Sequence, residues 1–192
     1  MRVRRLVVAS QNPDKVREVE EVLASLASPP EIVRGLIWDE VEETEDTLVG
    51  NALLKARAVV LATGLPALSD DTGLEVDALD GAPGVKTARY AGEPSSYEDN
   101  IAKVLSELQG VVDRSARFRT VVALVTPDGE EITAEGVLEG AIGLEPRGDG
   151  GFGYDPIFVV DHRTLAEIVP EEKHAISHRG QALRSLVEML GA

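Results

Sequence analysis

The chain has 192 residues, a formal net charge of −15 and no cysteine. That length suits a single domain spanning 1–192 with a substantial core. The missing cysteines exclude disulfides, thiolate metal sites and cysteine nucleophiles, and the negative charge excludes the broad basic face that a nucleic-acid polymer requires of its partner. No apolar run approaches the ~20 residues of a membrane span. The short apolar run behind the basic start Met1–Arg5 reads as a strand rather than a signal peptide. A cytoplasmic protein with no membrane partner is expected. A small anionic substrate stays compatible with the charge, because a few placed cations and a metal ion reverse the field locally.

In chain order, Leu6–Ala9 has the size of a buried strand. A polar turn, 10–14, leads into a helix over about 14–26, where Val16, Val19, Val22, Leu23 and Leu26 recur at helical spacing. A second strand is expected at 31–37. Six acids crowd into the eight residues Asp39–Asp46, and an Ala- and Leu-rich helix over 51–63 ends at Gly64. Short strands at 66–69 and 74–76 flank the polar step Asp70-Asp71-Thr72-Gly73. Ser95 and Glu98 have capping-box spacing before a helix that ends near Gly110. Two β-branched runs, 118–126 and 132–138, flank Pro127-Asp128-Gly129 as a hairpin. Seven of the 18 glycines lie between Gly136 and Gly153, which signals tight turns or backbone near a ligand. A strand at 156–160 and a helix at 181–190 complete the chain. Strands alternating with helices, then a late hairpin, predict an α/β chain with a mixed sheet.

Five segments carry candidate chemistry. Ser10-Gln11-Asn12-Pro13-Asp14-Lys15 joins a strand to a helix, where free N–H groups and the positive dipole end suit phosphate. The acid run contains Glu42 and Glu43. Asp70 and Asp71 are adjacent carboxylates of the kind that hold a hard cation. Gly150–Pro156 sets Phe152 and Tyr154 among glycines, which suits a flat ring. Residues 172–180 place Lys173, His178 and Arg179 beside a helix start. Each segment also has a plain structural reading: a cap, a solvated face, a turn, a tight loop. Together they compose a site for a nucleoside triphosphate with magnesium.

Those five segments, in this order and spacing, resemble the inosine triphosphate pyrophosphatase family. The resemblance runs from Val7 to Leu190, and four stretches carry most of it: Asp70–Leu74, Gly81–Gly84 with Ala88-Arg89-Tyr90, Gly150–Pro156 and Ala175–Gly180. The family's Thr-Gly-Asn-x-x-Lys stands here as Ser10, Gln11, Asn12 and Lys15, and its Glu-Asn-Ala as Gly50, Asn51 and Ala52. The resemblance implies an elongated two-lobed α/β fold around a long mixed sheet, helices on both sides, the active-site cleft between the lobes, and a homodimer. It implies hydrolysis of the deaminated purine triphosphates ITP, dITP and XTP to monophosphate and pyrophosphate. By position, Glu43 and Asp71 would hold Mg²⁺ with help from Asp70, and Asp71 would accept the proton. Ser10, Gln11, Asn12, Pro13, Asp14, Lys15, Thr72, Phe152, Gly153, Tyr154, Asp155, Lys173, His178 and Arg179 would contact substrate.

The implied chemistry is physically coherent. Lys15 and Lys173 would offset charge shifting onto the leaving pyrophosphate. Hypoxanthine and xanthine present a C6 carbonyl where adenine presents an amino donor. A site offering N–H donors there, from Arg179, His178 or loop amides, would leave them unpaired with ATP. Two other readings stand beside this one: a related pyrophosphatase for pyrimidine or modified nucleotides, and a nucleotide-binding regulator without turnover.

Overall fold

A computed structural model describes residues 3–26, 28–94 and 96–190. The strands are β1 (Arg5–Val8), β2 (Glu31–Ile32), β3 (Ala67–Val76), β4 (Pro83–Gly84), β5 (Ser115–Val125), β6 (Glu131–Ile142), β7 (Phe158–Val160) and β8 (Arg163–Thr164). The helices are α1 (Pro13–Ala24), α2 (Leu48–Thr63), α3 (Tyr97–Glu107), α4 (Pro170–Ile176) and α5 (His178–Leu190). Among the described residues the strands hydrogen-bond in the order β2-β1-β3-β5-β6-β7-β8, with β4 on β3. β1 runs parallel to β2 and to β3, while the β3–β4, β6–β7 and β7–β8 pairs are antiparallel. The sheet is therefore mixed and helix-flanked, as expected from the sequence. Among the described residues no helix is long and apolar enough to cross a membrane.

The chain forms two compact units. The first comprises residues up to 71, 120–136 and from 178 onward, and the second 72–119 and 137–177. In the first unit, strand alternation sorts side chains onto two faces. Leu6, Val8, Leu68, Val122 and Leu124 pack with Val19, Val22 and Leu23 of α1 and with Ala182, Leu183 and Leu186 of α5. Val7, Ala9, Ala67 and Val125 pack on the other face with Ala56 and Val59 of α2. In the second unit, Leu74, Val76, Phe118 and Ile142 form one core with Ile101, Val104 and Leu108. Tyr154, Ile157 and Phe158 belong to the same core.

Local chemistry explains the helix starts. The Asn12 side chain accepts from the backbone N–H groups of Asp14 and Lys15, with Pro13 in the first turn. Thr47 caps α2, and Gly64 ends it in the left-handed conformation. Ser95, where the sequence places the cap of α3, lies outside the described residues. The described cap is Ser96, whose hydroxyl accepts from the Asp99 N–H while the Asp99 carboxylate accepts from the Ser96 N–H.

Three strand expectations need correction. The runs at 66–69 and 74–76 are one strand, and Asp70-Asp71-Thr72-Gly73 is its middle, not a turn. Turn propensity loses here to a position between β1 and β5, with both faces of residues 67–71 covered. The expected strand at 31–37 shrinks to Glu31–Ile32, paired with Arg5 and Leu6. The last strand begins at Phe158 rather than Pro156 and returns as β8. The final helix starts at His178, three residues before the expected 181.

Candidate active site

Because successive side chains of a strand point to opposite faces, Asp70 and Asp71 meet different partners. Asp71 faces α2, where its Oδ1 accepts from Lys55 Nζ at 2.9 Å. The same ammonium donates to Glu43 Oε1 at 2.6 Å. One lysine thus holds together two carboxylates that would otherwise repel, and the trio keeps one negative charge in excess. Asp71 is 4% exposed, and its Oδ2 is buried without a hydrogen-bond partner among the described residues. Burial pushes the Asp71 carboxyl above the ordinary carboxylate range; Lys55 and Lys15 pull it down, and Glu43 pushes it further up. Glu43 moves the other way: burial raises it, but Lys55, Lys15 and a hydrogen bond with Asp71 together hold it low. Lys55, though buried, is kept firmly charged by Asp71, Asp70 and Glu43 against the pull of desolvation.

Asp70 faces α1 and α5. Its Oδ2 lies 3.3 Å from Lys15 Nζ and accepts from Arg179 Nη2 at 3.2 Å and Nε at 3.3 Å. Arg179 also pairs with Glu18 of α1. This network of two cations and two anions is balanced. Burial alone would raise Asp70, but Lys15, Arg179 and Lys55 together hold it well below the ordinary carboxylate range. Beside it, His178 Nδ1 lies 2.6 Å from Thr120 Oγ1 in a buried hydrogen bond.

At the head of α1, Ser10 Oγ accepts from the Asn12 N–H at 3.2 Å. Gln11 and Pro13 are exposed, and Asp14 pairs with Arg17 at 2.8 Å. Thr72 follows Asp71 on β3 and is half-buried.

In the second unit the glycine-rich loop closes on one carboxylate. Asp155 Oδ2 accepts from the Phe152 N–H at 2.8 Å and from Lys173 Nζ at 2.7 Å. Lys173 lies 5.3 Å from the Phe152 ring centroid, within cation–π range. Gly151, at φ +70°, has no room for a side chain, because a Cβ there would strike the Asp155 carboxylate. Tyr97 stands 6.1 Å from Phe152, ring to ring. Tyr154 is buried, and its hydroxyl donates to the Thr87 carbonyl at 2.9 Å. Gly153 follows Phe152 in the same loop at φ +61°.

Residues 6–189 match the Ham1 family. The chain belongs to that family. A dITP/XTP pyrophosphatase of Symbiobacterium thermophilum is 50% identical over 197 residues, spanning 100% of this chain and 98% of its own. One of Rhodospirillum centenum is 49% identical over 187 residues, spanning 95% and 92%. The structure of a HAM1 protein from Coxiella burnetii superposes with a TM-score of 0.86 at 46% identity, covering 97% of this chain and 98% of that one. The resemblance read from the four sequence stretches is borne out.

Within this Ham1 family member, three groups of the sequence-predicted residues assemble: Lys15 with Asp70 and Arg179, Glu43 with Asp71, and Phe152 with Asp155 and Lys173. The sequence reading put both aspartates at a metal, whereas the strand turns Asp70 toward Lys15 and Arg179. It also put His178 and Arg179 on substrate, and both are buried, at 5% and 2% exposure. Glu18 and Lys55 were absent from the expected site, and Asn51 entered only as part of a family motif, without a role. Glu18 left a faint signal, a charge three residues after Lys15 and four before Val22, on the inner side of α1. Among the described residues no group of three or more His, Cys, Asp or Glu is arranged to hold a metal.

Proposed function

We propose that this chain is a dITP/XTP pyrophosphatase that hydrolyses deaminated purine nucleoside triphosphates, ITP, dITP and XTP, to the monophosphate and pyrophosphate, and so removes them from the nucleotide pool before they are misincorporated. The observation that carries this reading is the near-full-length likeness to relatives of that name. The buried Asp71 carboxylate beside Glu43 and Lys55 supports it from within the chain.

The donor set fits Mg²⁺. Two carboxylates with excess negative charge, one of them with a buried oxygen lacking a hydrogen-bond partner among the described residues, suit a hard cation. Such an ion takes one or two carboxylates and fills its shell with water and phosphate, so the lack of a three-carboxylate cluster is no obstacle. Glu43 and Asp71 would hold it. When bound, it would neutralise phosphate charge and lower the pKa of a bound water. Asp71, with its raised proton affinity, accepts the proton of the attacking water. Lys15 and the amides at the head of α1 face charge on the phosphates, with Ser10, Gln11, Asn12, Pro13, Asp14 and Thr72 completing that end. Phe152, Gly153, Tyr154, Asp155 and Lys173 receive the base, with Phe152 as the stacking face. His178 and Arg179, buried against Thr120 and against Asp70 and Glu18, hold the carboxylate strand in place and do not touch the base. The working form is a cytoplasmic homodimer.

The test is dITP with the purified protein and Mg²⁺, followed by ³¹P NMR. Pyrophosphate and dIMP are expected as first products. Orthophosphate with dIDP would move the scissile bond, and no product would leave a nucleotide-binding protein without turnover.

A further inference from the structure

Glu43 belongs to no helix or strand, yet its carboxylate meets Lys55 and lies in the trio with Asp71. Something must fix the loop that carries it. Two fixing groups lie on one face of α2. Asn51, which is 0% exposed, forms a two-way amide pairing with the backbone of Glu45. Its Oδ1 accepts from the Glu45 N–H at 3.0 Å, and its Nδ2 donates to the Glu45 carbonyl at 3.2 Å. Position 50 makes room for this. A Cβ on Gly50 would lie 2.7 Å from Glu45 Cβ and 2.9 Å from its Cγ. Asn51 and Lys55 are four residues apart on one helix, so they share a face. On that face one grips the loop backbone at 45 and the other grips the loop carboxylate at 43. The same helix also holds β3: Ser69 Oγ donates to the Ala52 carbonyl at 2.5 Å, two residues before Asp71.

We infer that Asn51 is a positioning residue, which acts through the backbone of Glu45 to set Glu43 against Lys55 and Asp71. A buried side-chain amide that donates and accepts at once fixes both distance and orientation. This inference rests on the pyrophosphatase reading for its effect on turnover and on hydrogen bonds alone for its effect on the loop.

The test uses the full chain with Asn51→Ala, with Thr47→Ala as the control. Thr47 caps the same helix at Gly50 but makes no contact with the Glu45 backbone in the hydrogen bonds described. Asn51→Ala is expected to lower kcat for dITP about 10–100-fold, as loss of an orienting partner behind a ligand does, with KM little changed. Thr47→Ala is expected to lower the melting temperature yet keep kcat within about twofold. Glu43→Gln, costly in the natural sequence, is expected to cost little more in the Asn51→Ala background. Deuterium exchange on metal-free protein provides a reading independent of turnover: peptides covering 41–47 exchange faster in Asn51→Ala, while the later turns of α2 do not. Equal kcat losses in both variants, a full additional Glu43→Gln loss, or unchanged exchange at 41–47 would each overturn the inference. If the unaltered protein releases no pyrophosphate, the functional reading fails, and the exchange experiment still decides whether Asn51 holds the loop.

Discussion

Asp70 and Asp71 are neighbours in sequence and serve different lysines: Asp70 lies 3.3 Å from Lys15 and Asp71 2.9 Å from Lys55. One carboxylate sits in a balanced ion network and is held low. The other sits in a trio with excess negative charge and is pushed up. Substituting the two should therefore break different things.

Asp71→Asn is expected to fold normally and to lose about 10²–10⁴-fold in kcat for dITP, the usual loss for a positioned general base. Burial already disfavours the charged form of Asp71, so a neutral amide there costs little stability. Calorimetric affinity for dITP with Mg²⁺ should change far less than kcat. A folded Asp71→Asn protein that keeps more than about a tenth of the turnover would remove Asp71 from the proton-accepting role.

Asp70→Asn should act on stability first. It leaves Lys15 and a fully buried Arg179 with Glu18 as the counter-charge of their network. Breaking a buried pair costs about 3 kcal/mol, which for a chain of this size is roughly 6–12 °C in Tm. The pH dependence has a definite sign. A carboxylate depressed in the folded state stabilises above its unfolded value, and that stability is lost as pH falls through the folded one. The Tm gap between the unaltered protein and Asp70→Asn should be full at neutral pH and shrink below the ordinary value of 3.8. A gap that widens in acid would contradict the network described.

Phe152→Ala tests the base end. Stacking of a base on an aromatic ring is worth about 1–3 kcal/mol, so KM for dITP should rise about 5–150-fold with kcat less affected. Lys173 and Asp155 keep each other in this variant, so circular dichroism should be unchanged. An unaltered KM would place the base elsewhere.

Removing the divalent ion should stop turnover. Excess EDTA is expected to abolish pyrophosphate release, and added Mg²⁺ to restore it, because two carboxylates, Glu43 and Asp71, share the single ammonium of Lys55 where a polyanionic substrate must bind. Undiminished hydrolysis in EDTA would refute the assignment of these carboxylates to a metal.

What could be read from the sequence was what local chemistry decides. Gly64 after Thr63 marked a helix end because caps act over a few residues. Asp70–Gly73 was misread as a turn because its residue types favour turns in isolation. Only strand neighbours and three distant cations, Lys15, Lys55 and Arg179, make burial of two carboxylates affordable there. Glu18 was not legible, and Asn51 carried no role, because their meaning lies in partners: an arginine 161 residues away for Glu18 and a loop backbone for Asn51.

The chain crosses between its two units after residues 71, 119, 136 and 177, and three of those crossings fall inside β3, β5 and β6. Neither unit is a continuous stretch of sequence, so no single truncation isolates one, and no recombination at one point can transplant one onto another protein. Each half of a strand must wait for partners encoded far away, which raises contact order and slows folding. A nonsense mutation anywhere before residue 178 removes α5 from the first unit, and with it Arg179 from Asp70. The division into units is thus one of packing and not of inheritance: neither can be gained or lost as a block of sequence.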